Sequence, residues 1–420
     1  MRTVKWNACL SGLCGIAAAL GVMTASARAD VTTERGASIL AFPKVLANAG
    51  TDSDTIIQIT NISNSMVHAR CFYVNAQLDA NGQPLWQETD FNIWLTKQQP
   101  THWQVSAGRF VNPNDDCFEN NQIVPDQCDG AGIDPGAVPP VPTDFIGELK
   151  CIEVDGAGNP IGGNHLKGEA TIKTGGDVVK YNAVGIEGTE LAGATGNTLL
   201  LNQPAGGGDV VGQYNACPTT LIVNHFAEGV TNPVILANER GGTCDVGGSP
   251  CMTVDDCSSG PCVNGPAIAS NGVIAPVSAT LTDLTLVPCQ EDFENQIPGQ
   301  VKVQFAIYNE FEERFSASTT ITCWANFSLF QVDAPNNPER SVFSFGTLGS
   351  VAAQTRIRSE SIVGPGGEII NSGGLLGVAG VTHADANGLV ARTALNIHIE
   401  GDRFTDTNGD VIDEIVLPEH

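Results

Sequence analysis

Apolar and polar residues alternate along much of the chain. In "DTIIQITN", Ile57 and Ile59 alternate with Gln58 and Thr60; in "GQVKVQFAIYNE", Val301, Val303, Phe305 and Ile307 alternate with Lys302, Gln304 and Tyr308. A period of two with β-branched residues predicts half-buried strands. Each stretch is followed by a polar turn and a second apolar run, "MVHARCFYV" or "TTITCWANF", which carries a cysteine, Cys71 or Cys323. The alternation puts Cys71 on the face of Val67, Ala69 and Tyr73, and Cys323 on that of Ile321, Ala325 and Phe327. Farther on, "GELKCIEVDGAGNPIGGNHLKGEATI" and "GGLLGVAGVTHADANGLVARTALNIHI" both read as strand, glycine-rich hairpin turn, strand. These correspondences suggest an internal repeat. The match is in pattern more than identity, and either a duplication or two independent meanders accounts for it.

Both give an all-β chain. With 47 Gly and 23 Pro among 420 residues, turns are frequent and long helices hard to place. A sheet that buries one face needs a second layer, so the expectation is two tandem antiparallel β-sandwiches, immunoglobulin-like or fibronectin-like, with disulfide-stapled loop insertions. The expected division is a signal peptide at 1–29, a first sandwich at 30–240, a Cys-rich insertion or linker at 241–265 and a second sandwich at 266–420. The segment "CPTTLIVNHFAEG" (217–229) either closes the first sandwich or opens the second, and the proline-rich "DGAGIDPGAVPPVPTDF" reads as a loop insertion. Across most of its mature length the chain resembles secreted bacterial proteins of unknown activity with tandem sandwiches of this kind. The resemblance brings no catalytic residues with it.

Residues 1–29 read as a secretory signal: Arg2 and Lys5 precede an apolar run from Ala8 to Met23, and Ala27-Arg28-Ala29 is a small-residue cleavage site before Asp30. The later sequence holds no apolar run long enough for a spanning helix. Export to the periplasm, the cell surface or the medium is the expectation. Loss of Arg2, Lys5 and Arg28 takes the formal charge from −26 to −29. Such an acidic chain is a poor partner for nucleic acid, whose phosphates are bound by Lys and Arg.

Eleven cysteines follow the signal, and in an exported protein disulfides are their expected state. "CDVGGSPCMTVDDCSSGPC" holds Cys244, Cys251, Cys257 and Cys262 among turn formers, with no Cys-x-x-Cys pair of the kind that aims two sulfurs at one metal. Two local bridges are expected there, a metal or redox site being the alternative. Cys117 and Cys128 bracket a polar loop and are expected to pair, as are Cys71 with Cys151 and Cys289 with Cys323. Cys217 is then left over.

No nucleophile elbow, phosphate-binding loop or zinc-helix motif occurs. His225 with Glu228, and His383 with Asp385, are pairs that would matter only if the fold supplied further partners. "DTNGDVIDE" sets Asp406, Asn408, Asp410 and Glu414 at positions one, three, five and nine of an oxygen-rich loop, so calcium is the one cofactor the sequence nominates. Val411 stands where a calcium loop uses Gly and Leu417 where it uses Glu, and an Asn408-Gly409 hairpin is the competing reading. Trp94 falls opposite Phe91, Ile93 and Leu95 in register and is a sugar-stacking candidate if its face is open. The functional expectation is a secreted or cell-surface, non-enzymatic structural or adhesive module for an unidentified protein or glycan. The alternatives are an exported glycan-directed hydrolase using Asp/Glu pairs and a calcium-dependent adhesin.

Overall fold

The computed structural model describes residues 31–80, 85–111, 133–203, 212–228, 279–360, 373–384, 390–399 and 413–419, with isolated short strands at 118–119, 122–123, 242–244, 250–251, 262–263, 362–363 and 369–370. The expected signal peptide lies outside the described residues. Apart from a few single helical turns, the regular structure is β.

At the centre is a six-stranded antiparallel sheet in the order Val31–Thr32, Val184–Ile186, Ile39–Ala47, Phe145–Val154, Val67–Asn75, Gln87–Leu95. Successive side chains on a strand point to opposite faces, and here both faces are covered. Val67–Asn75 is therefore buried at every position, polar residues included. On one face Ala69, Cys71, Tyr73, Phe145 and Leu149 meet Ile57, Ile59, Trp103, Ala170 and Ile172. Those residues come from a four-stranded sheet ordered Asp177–Asn182, Leu166–Thr174, Ser53–Asn61, Pro100–Gln104. On the other face Ile39, Phe72, Val74, Ile152 and Ile186 meet Leu199, Leu201, Tyr214, Phe293 and Ile415.

That second cover is a small sheet ordered Tyr214–Asn215, Thr198–Gln203, Asp413–Val416, Glu291–Asp292. Two of its pairings are parallel, a departure from the antiparallel expectation. Glu291–Asp292 and Asp413–Val416, one of these pairs, come from distant parts of the chain, so no hairpin dictates their direction. A third core lies between a five-stranded sheet and a four-stranded one. The first is ordered Arg314–Thr322, Gln300–Asn309, Ala352–Glu360, Thr220–Phe226, His398–Ile399; the second Ala325–Ser328, Ala279–Pro288, Leu375–Ala384, Val390–Asn396.

Thr220–Phe226 pairs with residues 352–358, so of the two placements open to 217–229 this strand takes the later sheet. Thr198–Gln203 likewise pairs with Asp413–Val416, and the two halves interleave along the chain. The two matched stretches are also wired differently. Gln300–Asn309 and Arg314–Thr322 form a hairpin, whereas Ser53–Asn61 and Val67–Asn75 sit in different sheets. Leu375–Ala384 and Val390–Asn396 form the expected hairpin, but Phe145–Val154 and Leu166–Thr174 belong to facing sheets.

"TTITCWANF" is not one strand: Cys323 takes a left-handed conformation (φ 65°), and the chain passes there from the five-stranded sheet to the four-stranded one. The break turns Cys323 away from Ile321 and into the core shared with the central sheet, where its thiol is free. Cys289 accordingly bonds Cys217, correcting the expected Cys289–Cys323 pair and giving the leftover cysteine its partner. The Cys217–Cys289 bridge connects the lead-in to Thr220–Phe226 with the end of Ala279–Pro288, so it pins two sheets. Gly374 packs against it, since a Cβ there would lie 2.2 Å from that of Cys217. Cys71 and Cys151 are bonded directly across from each other, tying neighbouring strands of the central sheet. Cys244 stands opposite Cys262, and Cys251 opposite Gly242, in a three-stranded patch. Cys117, Cys128 and Cys257 lie outside the described residues.

Candidate binding cleft

The Ile39–Ala47 strand carries a proline at its middle, "AFPKV". Proline cannot donate to a ladder, and the pairing with Phe145–Val154 shifts register between Phe42 and Val45. The backbone groups this bulge frees are bonded by side chains from other layers. The Tyr181 hydroxyl accepts from Lys44 N–H (3.1 Å) and donates to Lys44 C=O (2.7 Å), while Trp324 Nε1 donates to Pro43 C=O at 2.7 Å. Burial pushes the Tyr181 phenol well up, so it stays neutral and keeps that donor. The bulge thus aims Lys44 toward the later sheets, where it forms an ion pair with Asp283.

Beside that pair opens a cleft of about 830 Å³. One wall is Leu46, Ile146, Ile172 and Val179; the other is Val378, Thr382, Thr393 and Ala394. The walls meet where Asn396 uses its side-chain amide as a strand would use its backbone. Its Oδ1 accepts from Asn182 N–H (3.1 Å) and its Nδ2 donates to Asn182 C=O (2.7 Å). Arg392 lines the cleft and stands 3.9 Å from Asp177. Leu78, 65% exposed, and Leu85 form its rim. A concave, mainly apolar hollow with a few oriented polar groups, placed between packed units, is where small-molecule and chain-end ligands bind.

The strongest electrostatics are sealed out of this cleft. Glu148, Lys150 and Glu291 are buried between the central sheet and the small mixed sheet, with Lys150 Nζ donating to Glu148 Oε2 (3.0 Å) and to Glu291 Oε2. Burial opposes the charge on Lys150, but the two carboxylates outweigh it and its pKa is raised. Burial, reinforced by Glu148, raises Glu291 well above the carboxylate range. Glu148 Oε1 and Glu291 Oε1 have no donor among the described residues. Cys323 lies close enough to feel both acids, which add to burial in raising its thiol.

The residues nominated from sequence are mostly held apart. His225 is buried, donates Nδ1–H to Phe226 C=O (3.0 Å) and accepts from the Thr355 hydroxyl at Nε2 (2.8 Å). Burial lowers its pKa to about 4, and it is neutral. Glu228 accepts instead from Thr282 N–H (3.1 Å), and burial raises it to about 7. The two residues are separate core groups. His383 stands on the strand Leu375–Ala384, and Asp385, its partner in the expected pair, lies outside the described residues.

Trp94 is half-buried and lies flat on His68, ring centroids 3.8 Å apart and planes at 6°, so one of its faces is already covered. Trp86, Trp103 and Trp324 are core residues. Of the calcium candidates, Asp406, Asn408 and Asp410 lie outside the described residues, and Glu414 is exposed within Asp413–Val416 opposite Leu200. Among the described residues no three His, Cys, Asp or Glu side chains converge as metal ligands, and no helix is long and apolar enough to cross a membrane.

Sequence reasoning passed over Lys44, Asp283, Tyr181 and Glu88. Pro43 inside a strand pattern was the available signal for the first three. Glu88 shares its strand face with Asp90, is raised to about 7 by burial and then by Asp90, and has a buried Oε2 without a partner among the described residues.

No protein-family model matches the chain, and no curated protein matches it. Among solved structures it shows likeness to one titled "Crystal Structure of Thermotoga maritima 1070", at 9% identity and a TM-score of 0.21, covering 36% of this chain and 93% of the other. A likeness that slight carries no argument about fold or function. The two disulfides among the described residues are those of a protein from an oxidising, non-cytoplasmic compartment.

Proposed function

We propose that the protein is a secreted or cell-surface binding module of structural or adhesive role, built from immunoglobulin-like sandwiches whose strands interleave along the chain, and that the 830 Å³ cleft holds part of a protein or glycan ligand. The observation that carries this reading is the pairing of charges across the cleft. Lys44 is bound to Asp283, Arg392 faces Asp177, and the shifted Lys150, Glu291 and Glu228 are buried in cores. A cleft whose Lys44 and Arg392 each stand beside an acid is suited to hold a neutral or chain-like ligand rather than to transfer protons. Thr382→Trp fills the cleft from one wall. In a screen of glycans and proteins, a ligand of the cleft is expected to lose at least tenfold in affinity on that substitution, about 1.4 kcal/mol. Unchanged affinity with an unchanged melting temperature would remove the cleft from the reading.

A second reading, an exported glycan-directed hydrolase, draws on Glu88, a carboxyl raised to about 7 beside Asp90. It expects turnover on a polysaccharide panel that Glu88→Gln abolishes.

A further inference from the structure

Edge strands expose unpaired backbone donors and acceptors, and proteins usually blunt them with charge, proline, bulges, shortness or cover. Among the described residues, most edges here are blunted. Val31–Thr32, His398–Ile399, Tyr214–Asn215 and Glu291–Asp292 have two residues each, and Ala325–Ser328 has four. Pro100–Gln104 starts on a proline. Asp177–Asn182 carries Asp177 and Lys180 and is capped by Asn396. Gln87–Leu95 is flanked by residues 133–136, with Trp94 N–H donating to Pro135 C=O.

Arg314–Thr322 is different. It is nine residues long, runs in unbroken register against Gln300–Asn309, and is bordered on its outer side by no strand among the described residues. It has no proline, and its one charge is at its first residue. Ser316, Ser318 and Thr320 are exposed, whereas Phe315 and Ala317 pack on the core yet remain half-open at the edge.

We propose that this strand is a homodimer interface, pairing antiparallel with the same strand of a second copy about a two-fold axis at Ser318. That register is self-complementary. Arg314 falls opposite Thr322 of the partner, and Ser316 opposite Thr320, so the two arginines stand at opposite ends and never face each other. On the core side Phe315 meets Ile321 and Ala317 meets Thr319, which closes the half-open apolar row and continues one sheet through both copies. Cross-strand pairs of β-branched, aromatic and hydroxyl side chains are stabilising contacts. The acidic turn with Glu310, Glu312 and Glu313 leads into the strand. The turns of the two copies therefore sit roughly 30 Å apart, at about 3.4 Å per residue over the strand, beyond the screening length of about 8 Å at physiological salt. The high acidic charge thus does not oppose this contact at close range.

The two-fold makes Ser318 face itself, which gives a specific test. Mass is measured by light scattering on the full mature chain at micromolar concentration. Wild type is expected at twice the chain mass, and Ser318→Lys and Ser318→Glu each at the single mass with melting temperatures typical of a folded chain, because Ser318 is exposed. Mixing the two variants is expected to restore the doubled mass as a heterodimer. A monomeric wild type, a dimer that Ser318→Lys leaves intact, or a mixture that stays monomeric would each overturn the proposal.

Discussion

Lys150 shows how much a single buried side chain can carry in this molecule. In "GELKCIEV" it looks like an outward polar residue between apolar ones, yet its ammonium lies between Glu148 and Glu291 with almost no exposure. Removing one member of a buried charged group leaves the rest uncompensated, at about 3–5 kcal/mol. Lys150→Met is therefore expected to lower the unfolding free energy by about that amount at neutral pH. Glu291→Gln, which replaces a carboxyl already holding its proton, should cost about 1 kcal/mol or less. Urea midpoints of the two variants check the order, and equal losses would show that Glu291 is ionised. Cys323 gives a second expectation at this scale. Alkylation without reductant should spare it in the native protein and label it after denaturation, with Cys71, Cys151, Cys217 and Cys289 unlabelled in both states. Label on Cys217 and none on Cys323 would restore the pairing read from sequence. Neither residue's role was legible locally, because the face each occupies is covered by a strand far away in sequence.

Among the elements, alternation was a good guide where one face meets solvent. Ser53–Asn61 and Gln300–Asn309 are half-buried strands as their period of two predicts. It failed where a strand is covered on both faces, as at Val67–Asn75, and where a single residue moves the chain between sheets, as Cys323 does. Pro43 is an intermediate case, since a proline in a strand pattern signals a bulge but does not say what will satisfy the freed backbone. Tyr181 bonds both Lys44 N–H and Lys44 C=O, so Tyr181→Phe orphans a donor and an acceptor at once. Each orphaned buried group costs about 1–3 kcal/mol. Tyr181→Phe is expected to destabilise by at least that, and a Tyr181→Phe/Trp324→Phe cycle to show coupling through the Pro43–Lys44 peptide. Strictly additive losses would mean that the two bonds act independently. The cleft beside this bulge was not legible from sequence at all, since its walls come from residues 44–46, 146, 172–179, 283 and 378–394.

The whole molecule joins a strongly acidic surface to several acids kept inside. Burial raises Glu88 and Glu228 to about 7 and Asp413 to about 6, and raises Glu153 and Glu291 as well. For each, the folded state holds its proton more tightly than the unfolded state. The stability this provides is complete below the ordinary carboxylate pKa, and it is lost as pH climbs through the folded value. Between about pH 4.5 and pH 7 these groups all act in one direction. His225, lowered to about 4, acts in the other, because its neutral folded form costs stability as pH falls from about 6.5 toward 4. With several acids against one histidine, the melting temperature is expected to rise as pH drops from 8 to about 5.5 and to turn down near 4. General repulsion among surface carboxylates would give a rise of the same sign, but salt screens it and leaves sealed groups nearly untouched. At high salt the slope should therefore persist, and Glu228→Gln should flatten part of it while leaving the acid limb in place. A slope that vanishes with salt would assign the effect to the surface and would mean that the interior acids titrate like exposed ones.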